Sequence, residues 1–138
     1  VAQVAGATLG ALALRVTLGA DADLGVTPPS GSELQALAWE VLLTFFLMIV
    51  LPAVATDTRA VGEAAALAIG GTVALGALVG GPFSGASMNP ARSIGPALVS
   101  GELDALWIYL VGPVIGAIAA ALVYRFLRGG STVDERSS

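Results

Sequence analysis

The residues of this chain that can do chemistry at a distance from one another are few, and three of them stand together. Asn89, Pro90 and Arg92 lie in "SGASMNPARSIGP", residues 84–96, between apolar runs. Asn is a preferred helix N-cap and Pro is favoured at the first helical position, so Asn89, Pro90 and Ala91 predict a helix start. The helix that follows ends near Ser100 and Gly101. Its roughly ten residues reach only about 15 Å, half of a bilayer core. "GPFSG", residues 81–85, is expected to be non-helical, with Gly81, Pro82 and Gly85 keeping the backbone open. Irregular backbone at membrane depth is tolerated only inside protein or along a water-filled cavity. An arginine near the bilayer centre costs about 2.5–3.5 kcal/mol on insertion scales, so Arg92 should face a cavity or a partner. The helix N-terminus adds about half a positive charge. Together they repel cations, hydronium included, and penalise neutral solutes little.

Other chemistry is thin. The chain has no Cys and no His. Disulfides, thiol nucleophiles, the usual zinc sites and histidine bases are therefore excluded. No cluster of nucleophile, base and metal ligand appears, so no catalytic residue, metal or cofactor is expected and the chain reads as no enzyme. A net charge of −4 offers no electrostatic footprint for nucleic acid. Glu40 is the one charge inside the run 34–56 and needs an internal partner, with a structural role the plainer reading.

The elements that must position these residues are apolar. Of 138 residues 56% are hydrophobic and only 12% charged, against about 25% charged in ordinary soluble domains. This places the chain among integral membrane proteins, with lipid as its first partner. Expected spans are 1–20, 34–56, 64–80 and 105–124, with the half-helix between the last two. Residues 21–33 form a polar loop, 56–63 a short polar connection, and 129–138 a polar tail, leaving 1–128 as one transmembrane region. Arg59 follows the second span, and Arg125, Arg128 and Arg136 follow the last. The positive-inside rule then puts 56–63 and the C-terminus in the cytoplasm and the loop 21–33 outside. Gly6 with Gly10, Gly76 with Gly80 and Gly112 with Gly116 have the spacing that lets helices approach closely in lipid.

"SGASMNPARSIGPAL" resembles the second asparagine-proline-alanine loop of the aquaporin (major intrinsic protein) family. The resemblance covers nearly the whole chain. "AQVAGATLGAL" (2–12) is similar to the family's third helix and "EVLLTFFLMIVLPAVATDTRAVGE" (40–63) to its fourth helix and following loop. "AIGGTVALGALVGGPFSGASMNPARS" (68–93) is similar to the fifth helix and outer loop, and "LWIYLVGPVIGAIAAALVYR" (106–125) to the sixth. The implied fold is an all-α membrane protein: an aquaporin-like helical bundle with four spanning helices and one re-entrant half-helix, an incomplete copy of a six-helix inverted repeat.

The resemblance also implies roles. Asn89 offers its amide to the permeating molecule, and Pro90 and Ala91 start the half-helix. Arg92 belongs to the outer selectivity filter with Ala77 and Ala86. Carbonyls of Gly85, Ala86, Ser87 and Met88 form a hydrogen-bonding ladder. Glu40 and Gln3 are buried polar supports of the loops. Two small residues opposite Arg92 imply a wide filter, and the pattern resembles nodulin-like members and bacterial relatives. Ser93 and Ala97 match the water-channel pattern, while Tyr109 and Leu110 mix patterns. The expected function is a passive channel for water and small uncharged solutes, such as glycerol or metalloid acids, excluding ions and protons. A water-selective channel is the alternative.

The family pattern further implies two helices and a first asparagine loop ahead of Val1, a homotetramer, and here a bacterial plasma membrane. A natural truncation that does not conduct, a pore built from two copies, a secondary transporter and a membrane adaptor are the competing expectations.

Overall fold

The computed structural model describes residues 1–19, 22–56 and 63–129. Among these, all regular structure is helical. The elements are α1 (Ala2–Leu18), α2 (Glu33–Thr56), α3 (Glu63–Ser84), α4 (Pro90–Ser100) and α5 (Leu106–Gly129). The connection expected at 56–63 lies outside the described residues except for its two ends, and so does the tail expected at 129–138 except for Gly129.

Three of the helices, α2, α3 and α5, are long and apolar enough to cross a membrane. α1 is apolar but has 17 residues, short of the roughly 20 that span a bilayer core. α4 has 11 residues and a length of about 16 Å.

The helix ends follow local chemistry. Ser32 starts α2: its hydroxyl accepts from Gln35 N–H at 3.2 Å and its carbonyl from Ala36 N–H at 3.0 Å. α4 stops at Gly101, which takes φ +84° and returns its N–H to Ala97 O at 2.9 Å. The expectation of an open backbone over residues 81–85 is corrected. α3 continues through Gly81 and Pro82 to Ser84. A proline removes its own donor and crowds the carbonyl four residues back, yet here the ladder resumes beyond it with Gly85 N–H on Gly81 O at 2.9 Å. The irregular stretch is Gly85 to Asn89.

The helices touch in the order α1–α4–α5–α2–α3, and no other pair of helices is in contact among the described residues. The bundle is therefore an open arc with α1 and α3 as its free ends. Its closest seam is α2 with α5. A Cβ on Gly112 would stand 2.7 Å from Glu40 Cβ, and one on Gly116 would meet the Val41 carbonyl and come within 3.0 Å of Phe45 N. Only glycine lets these backbones meet. The α1–α4 seam is equally tight, since a Cβ on Gly95 would meet the Ala7 backbone. Arg15 ties the far end of α1 to α4 by donating to Val99 O at 2.8 Å, a cation beside the negative end of the half-helix. Buried apolar clusters are small: Ala36, Ile108 and Tyr109 form one, Leu43, Ala86 and Met88 another. Outward-facing Leu67, Leu78, Leu122 and Phe126 are exposed, as befits helices whose outer surface meets lipid.

Candidate functional site

α4 begins at mid-chain on its own cap. Asn89 has extended backbone (φ −153°, ψ 115°), and its Oδ1 accepts from Ala91 N–H at 3.0 Å. With the oxygen committed to the cap, the amide NH₂ is the part of Asn89 left to face outward, and among the described residues it has no partner.

The stretch leading to Asn89 is held from behind. Ala86 and Met88 adopt positive φ (47° and 54°), and Gly85 does so at 76°. Non-glycine residues pay for that conformation, so something must hold it. Glu40, fully buried, does so. Its Oε1 accepts from Ser84 Oγ at 2.8 Å and Ser87 N–H at 2.9 Å, and its Oε2 from Met88 N–H at 2.8 Å. Ser84 Oγ in turn accepts from Ala86 N–H at 3.2 Å, and Tyr109 donates to Ser84 O at 2.8 Å. Within a planar trans peptide the C=O points opposite to the N–H. Because the N–H groups of Ala86, Ser87 and Met88 turn toward Ser84 and Glu40, the carbonyls of Gly85, Ala86 and Ser87 turn away from them.

Arg92 is exposed, one residue beyond Ala91, and its Nη1 donates to Gly25 O at 2.7 Å. Gly25 belongs to the loop between α1 and α2, at φ +85°, with its N–H on Asp23 Oδ1 at 2.9 Å. Asn89, Ala91, Arg92 and Pro96 from α4 and its cap, Leu24 and Gly25 from the loop, and one face of α1 from Gln3 to Leu14 line an open groove of about 440 Å³. Its polar wall is thus the amides of Asn89 and Gln3, a guanidinium and a positive helix end. It offers hydrogen-bond donors to a neutral solute and an unfavourable field to a cation. Among the described residues, no group of His, Cys, Asp and Glu could hold a metal.

The structure brings Asn89, Ala91, Arg92 and Gln3 around this one groove, with Pro90 in the first turn behind it. It does not bring Ala77 or Ala86 to the same wall. Ala77 is exposed on α3, which touches no helix but α2. Ala86 is buried against Leu43 and Met88. Gln3, expected as a buried support, is exposed. It sits in the first turn of α1, on the open side of the groove, where no described element covers it. Two contributors were not singled out from the sequence. Gly25 acts through a carbonyl, which leaves no mark on residue type. Ser84 is one hydroxyl residue among many.

The chain matches the family described as Major intrinsic protein over residues 1–124. It is 54% identical over 128 residues to Aquaporin NIP1-1 of Zea mays, an alignment covering 92% of this chain and 45% of that protein. It is 53% identical over 129 residues to Nodulin-26 of Glycine max, covering 93% and 48% respectively. With Aquaporin NIP1-2 of Arabidopsis thaliana the identity is 48% over 136 residues, covering 93% and 46%. The chain spans about half the length of the curated relatives it matches. These relatives are plant proteins, and the expectation of a bacterial membrane finds no support in them.

Proposed function

The chain belongs to the major intrinsic protein family, and from that premise we propose that it supplies one wall and the outer filter of a passive channel for water and small uncharged solutes. Family membership and three apolar helices make it an integral membrane protein. It is assigned no catalytic step.

One observation carries the reading. The Asn89 amide and the Arg92 guanidinium meet at a single groove, at the N-terminus of a half-length helix. A neutral hydroxylated molecule finds donors there at little cost, whereas a cation meets like charge. The outward-turned carbonyls of Gly85, Ala86 and Ser87, with Met88 next in line, supply acceptors along the approach. Ala77 and Ala86 do not line this groove; it is the family resemblance that makes them small filter positions and favours a passage wide enough for glycerol or a metalloid acid. Glu40 holds the loop, and Gln3 serves the facing half of the pore. In this reading α1 crosses the membrane as a fourth span, residues 56–63 and the C-terminus face the cytoplasm, and the assembled protein is a homotetramer.

The test is stopped-flow swelling of vesicles carrying the full-length protein. Glycerol should enter several-fold faster than through protein-free lipid, and Ala77→His should reduce glycerol entry more than water entry. Glycerol entry at the lipid rate, with fast water entry, would replace this reading by a water-selective one.

A further inference from the structure

The side chain next to Arg92 points the other way and begins a second connection. Ser93 is buried, and its Oγ donates to Ser87 Oγ at 2.7 Å. Ser87 Oγ donates to the Asn89 carbonyl at 2.9 Å. Thr27 Oγ1 lies 2.8 Å from Ser93 Oγ. A hydroxyl has one proton to give. The Asn89 carbonyl can only accept, so the Ser87 proton is spent there, the Ser93 proton is spent on Ser87, and Thr27 must be the donor to Ser93. The relay therefore runs in one direction, from Thr27 through Ser93 and Ser87 to Asn89. All three hydroxyls belong to buried residues.

We propose that Thr27 is a positioning residue for Arg92 and thereby a determinant of solute selectivity. Among its described residues the loop between α1 and α2 has no regular structure, and two bonds two residues apart fix it to neighbouring residues of α4. At Gly25 it accepts from Arg92, and at Thr27 it gives to Ser93. Among the described residues of that loop, Thr27 is the buried polar side chain. The Thr27 anchor sets where the Gly25 carbonyl stands, and that carbonyl sets where the guanidinium stands in the groove. The far end of the same relay is the backbone of Asn89. One hydroxyl thus serves both polar groups of the site, though it touches neither.

The proposal rests on the channel reading for its flux arm alone. In full-length protein reconstituted in vesicles, Thr27→Val keeps the shape and removes the donor, while Thr27→Ser keeps the donor. Two readouts are taken. One is the ¹⁵N resonance of the Arg92 guanidinium by solid-state NMR, assigned by its loss in Arg92→Lys. The other is the ratio of glycerol to water permeability. Thr27→Val should shift and broaden the Arg92 resonance and raise the ratio at least twofold, and Thr27→Ser should restore both. Simple loss of folded protein lowers both permeabilities in proportion and leaves the ratio unchanged. Should Thr27→Val fail to fold, Ser93→Ala, which removes the acceptor and spares the threonine, carries the same expectation. A wild-type Arg92 resonance and ratio in Thr27→Val or Ser93→Ala would overturn the proposal. If the wild-type protein passes no solute, the channel reading falls, and the NMR arm still decides the role of Thr27.

Discussion

Glu40 holds two backbone N–H groups and one hydroxyl on its two oxygens, in a place water does not reach. Glu40→Ala strands the Ser87 and Met88 donors, at about 1–3 kcal/mol each, and frees the positive-φ backbone they hold. Glu40→Gln keeps one acceptor oxygen but turns an NH₂ toward a backbone N–H. The apparent melting temperature in detergent should therefore fall in the order wild type, Gln, Ala. A Gln variant as stable as wild type would show that acceptor chemistry is not what Glu40 provides. At this scale the helix start at Asn89 and Pro90 was legible, because capping is local and needs no knowledge of the fold. That a Glu in an apolar run needs an internal partner was legible too. The acceptor of Arg92 was not: Gly25 lies 67 residues away and acts through its main chain. Thr27 was hidden for the same reason, as nothing in "GVTPPSG" marks that one hydroxyl meets Ser93.

Among elements, three glycine pairs with the same spacing look equivalent in sequence and differ in the structure. Gly112 and Gly116 sit in the α2–α5 seam, Gly76 and Gly80 beneath Leu43 and Met88, and Gly6 and Gly10 against nothing within 4 Å. Spacing reports that helices can approach; it does not report which helix is there. Gly95, outside any such pair, makes the close approach of α4 to α1. Gly116→Ala should cost about 1–3 kcal/mol by overpacking, because its new Cβ meets main chain that cannot turn aside. Gly70→Ala, with open space around it, should be neutral or gain the roughly 0.5–1 kcal/mol of helix preference. Thermal melts of the two variants moving in the same direction would contradict the seam. The end of α3 was misplaced by sequence reasoning because Pro82 reads as a breaker. The helix is already packed on α2, which offsets the lost hydrogen bond and the crowded turn, and Trp39 stacks on Phe83 at 4.9 Å just beyond the proline.

At the scale of the molecule, the loop between α1 and α2 and the turn after α4 lie together, and the proposed channel puts both on the outer side of the membrane. Asp23, Glu102 and Ser100 line one cavity there with Arg15. The chain has no cysteine, so each single substitution places one thiol among its residues. Ser30→Cys and Glu102→Cys should both react with a membrane-impermeant thiol reagent added outside intact cells, and Arg125→Cys only after permeabilisation. Labelling of Ser30→Cys and Glu102→Cys from opposite sides would rule out the fold. The apolar runs, the half-length of α4 and the positive charge near its start come from the sequence by itself, because hydropathy, helix rise and capping are properties of short stretches. The open order α1–α4–α5–α2–α3, the burial of Ala86, the exposure of Gln3 and the loop that holds Arg92 were decided by tertiary structure alone. Each depends on which backbone arrives beside which, and a hydrogen bond to a distant carbonyl or hydroxyl leaves no pattern along the chain.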